Sequence, residues 1–194
     1  MTCPIYHITH KKNLPRILEH EGLWSDAEKI SRRIETRNIA YQDLKGRRSR
    51  KAVPISPFGN LDNYVPFYFT TRSPMLLAIH IGAVENYQDG QGSIIYLESS
   101  LEAIKQSKIS WCFSDGHAIE KVTQFFNSEN ALDNLDWDLI NGWSWGNTDQ
   151  DNDRKRRKQA EFLVHRFFPW DLIAGIGVIS ESVQREVQDW YYDN

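Results

Sequence analysis

Between Arg154 and Phe168 a single carboxylate, Glu161, follows five basic residues and opens the apolar run Phe162-Leu163-Val164-His165-Arg166-Phe167-Phe168. So dense a run of aromatic and branched side chains reads as a strand, and it has to be buried in a sheet. A carboxylate at the mouth of that sheet, in the field of Arg154, Lys155, Arg156, Arg157 and Lys158, stays ionised. It can steady an oxocarbenium-like centre or hold a sugar hydroxyl. The plainer alternative is an ion pair with a neighbouring arginine, and spacing does not choose between them.

The rest of the chain supplies short strands and short helices around that run. Tyr6-His7-Ile8-Thr9 reads as a first strand. Asn13 is positioned as the N-cap of a helix with Pro15 in its first turn and Gly22 as its stop. From Trp24 to Gly59 the chain is polar, basic and weakly periodic, with one short helix expected around Ile39 to Arg50, which suggests a functional loop. Further strands are expected at Tyr64–Thr71, Ser93–Leu97, Ser110–Phe113, Ala160–Phe168 and Ile173–Ile179. Helices are expected after Ser73-Pro74 and over Ser100–Gln106, Gly116–Phe126 and Gln184–Tyr191. No internal repeat or linker divides the 194 residues, so residues 1–194 are expected to form a single α+β domain. A chain this long buries roughly 70% of its unfolded surface, enough for a core without staples.

Charge is more informative in its arrangement than in its sum. The net charge of -3 does not suit a protein that simply coats nucleic acid. Yet ten of the 23 basic residues fall in two clusters, Lys45 to Lys51 and Arg154 to Lys158, and Glu129 to Asp153 holds seven acids and no base. Each cluster alone reads as a solvated face. A polyanion bridging both would release counterions and bind with a steep salt dependence.

Several chemistries lack their signatures. His7 and His10 are three apart on a strand end and the other four histidines are isolated, so no metal site is expected. No glycine-rich nucleotide loop of the Rossmann or P-loop kind and no G-x-S-x-G elbow occurs. Two cysteines, Cys3 and Cys112, do not make a disulfide scaffold. No apolar run approaches the roughly 20 residues of a membrane span, and Met1 to His10 lacks the pattern of a signal peptide. A cytoplasmic protein without a membrane partner is the expectation.

Five ordered motifs then resemble one family. Tyr6-His7-Ile8-Thr9-His10, Asn38-Ile39-Ala40-Tyr41 leading to Arg47-Arg48, Asp62 through Phe69, Arg72-Ser73-Pro74-Met75-Leu76, and Lys158 through Val164 with Phe168-Pro169-Trp170 look like the DarT family of bacterial toxins that ADP-ribosylate DNA. The resemblance covers nearly the whole chain. It implies an ADP-ribosyltransferase-like split antiparallel sheet with peripheral helices and a long substrate loop. NAD would lie in the cleft as co-substrate, and ADP-ribose would pass to thymidine in single-stranded DNA. A macrodomain antitoxin is the implied partner.

By position, the resemblance puts the NAD-holding motif on His7, Ile8 and Thr9, with further contacts near Arg16 and Trp24. The catalytic pair becomes Glu161 and Arg47, Arg47 gripping the diphosphate and sharing in removal of the base's proton. The NAD-binding element falls at about Ser31 to Arg50 and the DNA-facing loop at His117 to Ala160. From charge, Arg154, Arg156 and Arg157 are expected on DNA phosphates, with Trp143 or Trp145 as stacking surfaces or as anchors of the loop. The rival readings are a nucleic-acid-cleaving toxin, a protein ADP-ribosyltransferase and a non-enzymatic binding module.

Overall fold

The apolar run from Phe162 is buried on both sides, and the molecule is organised around it. A computed structural model describes residues 3–192; the expected span of 1–194 therefore includes four terminal positions outside the described residues. In chain order these residues form β1 (Pro4–His10), α1 (Leu14–Glu19), β2 (Gly22–Trp24), α2 (Asp26–Arg32), α3 (Gln42–Arg48) and β3 (Tyr64–Tyr68). Next come α4 (Pro74–His80), β4 (Ile94–Ser100), α5 (Leu101–Ser107), β5 (Trp111–Ser114), β6 (Phe125–Phe126), α6 (Trp137–Asn141) and α7 (Arg154–Arg157). The chain closes with β7 (Glu161–His165), β8 (Phe167–Pro169), β9 (Gly175–Gly177) and α8 (Glu181–Tyr192).

Seven strands pair in the order β6-β5-β7-β3-β1-β4-β9, every pair antiparallel, and β2 pairs with β8 in a second, two-stranded sheet. In β7, Phe162 and Val164 enter a cluster with Ile5, Phe67, Phe113 and Phe168, while Leu163 enters a second with Val53, Leu61, Tyr64 and Cys112. Each such side chain contributes about 1.5–3 kcal/mol of burial free energy. The expected α+β class and mostly antiparallel split sheet are what the structure contains.

The split has a local cause. β1 follows β4 over its whole length, from Pro4↔Ser100 to His10↔Ile94, yet it meets β3 in register only at Tyr6↔Tyr68. Pro66, in the middle of β3, has no N–H to give, and a strand residue's N–H and C=O face the same neighbour. Its carbonyl faces β1, where His7 Nδ1 donates to it at 2.8 Å. A side chain thus replaces a ladder bond, and the two strands part.

Several expected boundaries change. Arg166 adopts φ 65°, which divides the expected strand Ala160–Phe168 into β7 and β8 in different sheets. The strand expected at Ile173–Ile179 shortens to Gly175–Gly177. Gly22, placed in the sequence reading as a helix stop, opens β2 instead. A Cβ there would lie 2.3 Å from the Phe168 carbonyl oxygen, so only glycine permits the β2–β8 approach. The helix expected over Gly116–Phe126 is a series of turns ending in β6. Helix α2 falls in the segment read as loop. α4 follows Ser73 as expected, and the Ser73 Oγ caps it by accepting from the Leu76 N–H.

Candidate active site

Where β1 and β3 part, a cleft opens that holds about 1160 Å³ of atom-free space, solvent at its mouth included. His7, Ile8, Thr9, Arg16, Trp24 and Glu161, all singled out in the sequence, line it. Glu161 comes to the cleft by register: it opens β7 opposite Tyr68 of β3, and Tyr68 lies opposite Tyr6 at the one point where β1 and β3 meet.

Glu161 is 3% exposed and fully engaged. Its Oε2 accepts from Arg48 Nη1 at 2.8 Å, its Oε1 accepts from the Ala118 N–H at 3.0 Å, and His117 Nδ1 lies 3.3 Å from the same oxygen. Burial by itself pushes the carboxyl pKa up. The charge of Arg48, the hydrogen bond and charge of His117 and the Ala118 N–H outweigh burial and hold it down, at about 2. The carboxylate is therefore ionised at every physiological pH.

The arginine beside it is Arg48 and not Arg47. Arg48 lines the cleft, whereas Arg47, one position earlier on α3, is exposed and does not. The positional match assigned both catalytic and NAD-binding roles to Arg47, but it is Arg48 that the fold brings to the glutamate. Arg48 Nη2 is buried and has no hydrogen-bond partner, so this guanidinium carries an unmet donor. Burial pulls the Arg48 pKa down, but Glu161 more than restores it and leaves it raised. Arg48 stays protonated, which gives it the role of charge and donor and not of base. Beneath it, Asp26 pairs with Lys29 at 2.7 Å and Lys45 at 3.5 Å and ties α2 to α3.

On the opposite wall, burial drives the pKa of His7 down to about 4, so its ring is neutral. The Pro66 carbonyl can only accept, so Nδ1 carries the proton and Nε2 is left as an acceptor. Thr9 Oγ1 accepts from Asn13 Nδ2 at 3.0 Å. Asn13 makes no side-chain cap bond for α1, contrary to the sequence reading. Instead its amide binds the backbone of Arg37 twice, at 2.7 and 3.0 Å, from across the cleft. The ring of Trp24 packs against Phe167, with the Arg32 guanidinium 3.7 Å from its centroid.

The expected DNA-binding arginines stand elsewhere and are engaged. Arg156 pairs with Asp115 and Asp153, both at 2.7 Å, and Arg157 with Asp136 at 3.1 Å and Asp151 at 2.6 Å. Arg154 donates to the Ser144 and Gly146 carbonyls. The acid-rich segment and the basic run that follows it neutralise each other and fold the loop. Lys158 is buried under that loop, donating to the Ile140 and Gly142 carbonyls, and burial lowers its pKa to about 8. Trp143 is 81% exposed, its ring 4.0 Å from the Arg72 guanidinium. Among the described residues, no three of His, Cys, Asp or Glu converge as metal ligands would.

Two cleft residues, Arg48 and Asn13, and one partner of Glu161, His117, were given no catalytic or NAD-binding role from the sequence. Arg48 is separable from Arg47 only by helix phase. Asn13 looked like a cap, a role that hid its tertiary partners Thr9 and Arg37. His117 reaches Glu161 through a turn that no local pattern announced.

A sheet split at one strand pair, with a buried ionised glutamate and an arginine at the cleft and a neutral histidine from the first strand, fits the ADP-ribosyltransferase-like class that the sequence resemblance implied. Comparison with known proteins sharpens this. The family model "DarT: ssDNA thymidine ADP-ribosyltransferase" matches residues 6–191. A DNA ADP-ribosyl transferase of Thermus aquaticus is 42% identical over 95% of this chain and 78% of its own, and one of Escherichia coli O127:H6 is 32% identical over 97% and 85%. Among solved structures, Thermus sp. 2.9 DarT in complex with ADP-ribosylated ssDNA superposes with a TM-score of 0.92 at 40% identity, covering 98% of this chain and 88% of that one. Its complex with NAD+ gives 0.88 at 38%, covering 98% and 89%. The chain belongs to the DarT family and is an NAD-dependent DNA ADP-ribosyltransferase, with NAD as co-substrate.

Proposed function

We propose that Glu161 and Arg48 carry the transfer of ADP-ribose to thymidine in single-stranded DNA, with His7, Ile8, Thr9, Arg16 and Trp24 holding NAD. The observation behind this reading is the Glu161–Arg48 pair in the cleft beside an unmet Arg48 donor. The residues suit the dinucleotide: a buried cation with a free N–H matches a diphosphate oxygen, and the neutral His7 offers an acceptor at Nε2. NAD supplies a ribose joined to an already cationic leaving group, so no acid is needed to expel nicotinamide. As that bond breaks with its electrons going to nicotinamide, Glu161 steadies the positive charge on the sugar while a base nitrogen forms the new bond and gives up its proton. Arg48, protonated beside Glu161, positions and does not accept that proton. With Arg48 turned toward the diphosphate, Glu161 becomes more basic, and with His117 it forms the route for the proton.

The base would approach from the His117–Ala118 side, with Trp143 as a stacking surface braced by Arg72. Arg156 and Arg157, already paired, serve the loop. Arg47 and Arg50, exposed and in no ion pair among the described residues, are the cations nearest in sequence to Arg48 and take DNA phosphates. The whole chain acts as one domain in the cytoplasm, where a lethal modification calls for an antitoxin. The macrodomain partner rests on the family. Among the described residues no helix is long and apolar enough to cross a membrane. The reading is tested by incubating Glu161→Ala and Arg48→Ala proteins with NAD and a thymidine-containing oligonucleotide. Loss of transfer with NAD binding retained in Glu161→Ala supports it, and full activity in either contradicts it.

A further inference from the structure

Residues 33–40 cross the cleft between α2 and α3 and line it through Ile34, Thr36, Arg37, Asn38, Ile39 and Ala40. Arg33 in the left-handed region ends α2, and the chain then runs without helix or strand to α3. A bare strap of this kind has no ladder to fix it, so its position depends on side chains. Three hold it. Asn13 takes the backbone of Arg37 on both sides, N–H and C=O. Ile39 packs on the apolar cluster of Ile8, Ile79, Val84, Tyr87 and Ile94. Arg37 Nη2 reaches Asp89 Oδ2 at 2.6 Å.

Asp89 is not a cleft residue. It sits in the loop between α4 and β4 and is itself fixed from below by His10, which is fully buried. His10 Nδ1 accepts from the Lys12 N–H, so Nε2 carries the proton and donates to Asp89 Oδ2 at 3.0 Å. The carboxylate thereby couples the last residue of β1, directly after the Ile8-Thr9 wall of the cleft, to the strap on the other side. We infer that Asp89 is a positioning residue that latches the 33–40 strap across the cleft through Arg37, and so sets the affinity for NAD without touching it. The claim rests on the cleft being the NAD site.

The Arg37–Asp89 pair is partly exposed, so its effect is modest. Calorimetry should find NAD bound about three- to tenfold more weakly by Asp89→Ala and by Arg37→Ala. For Asp89→Ala, transfer at saturating NAD and the KM for oligonucleotide should stay unchanged. The double variant should be no weaker than Asp89→Ala alone, because Asp89→Ala already removes the link that Arg37→Ala removes. Asp89→Glu, which retains the charge, should recover part of the affinity. Independently of any ligand, proteinase K should cut within 33–40 faster in Asp89→Ala than in the native chain. Additive losses, a fall in maximal transfer with unchanged NAD affinity, or an unaltered cleavage rate would overturn the latch. If the native protein failed to bind NAD at all, the functional reading would fall, and the cleavage rate would still decide the strap.

Discussion

Arg47 and Arg48 are neighbours on α3, about 100° apart around its axis, and that angle decides their chemistry. Arg48 turns to Glu161 and Arg47 to solvent. Replacing Arg48 by alanine should lower transfer about 10²–10³-fold, the usual cost of removing one preorganised donor from a charge-developing site. Arg47→Ala should leave the rate within about threefold and flatten the salt dependence of DNA binding by about one counterion. Steady-state kinetics on the two proteins separates them. Acid stability has two windows. His7 is pushed down to about 4 from the ordinary 6.5, so the unfolded chain binds a proton that the folded one refuses, and stability falls as pH drops from about 6.5 to 4. Glu161, held at about 2, adds a second loss from about 4.5 downward. Melting temperature against pH should show both, with the upper one smaller in His7→Gln, since His10 and His165, also lowered by burial, still contribute to it.

At the scale of elements, the loop from Asp115 to Ala160 shows why some of the site was legible and some was not. Glu161 could be read because it is a lone acid opening an apolar strand, and both features survive in the structure. The helix expected over Gly116–Phe126 does not form: Ala118 and Phe125 enter a core cluster while Val122 is 71% exposed. The Ala118 N–H goes to Glu161 and the His117 N–H to the Arg156 carbonyl, so tertiary partners fix these two residues in a turn. The basic run after the loop looked like a phosphate site because the sequence shows charge but not its partners. Asp151 and Asp153 precede it directly in the chain, but Asp115 and Asp136 reach it only in three dimensions. Arg157→Ala should therefore loosen the loop, lowering the melting temperature by about 2–8 °C and speeding its proteolysis. It should leave the salt dependence of DNA binding unchanged.

Over the whole molecule, one missing N–H sets the arrangement. Pro66 keeps β1 and β3 from zipping together, the cleft fills the gap, and the register of β3 with β7 delivers Glu161 to its floor. The first strand, the glutamate strand and the helix after Ser73 could be anticipated because each has a local cause. The split could not, since it depends on which neighbour the Pro66 carbonyl faces. The most direct test of the account is mass spectrometry of a single-stranded, thymidine-containing oligonucleotide after incubation with NAD. Native protein should add one ADP-ribosyl unit per modified thymidine to an intact strand, and Glu161→Ala should add none. Shortened strands, or equal modification by both proteins, would contradict it.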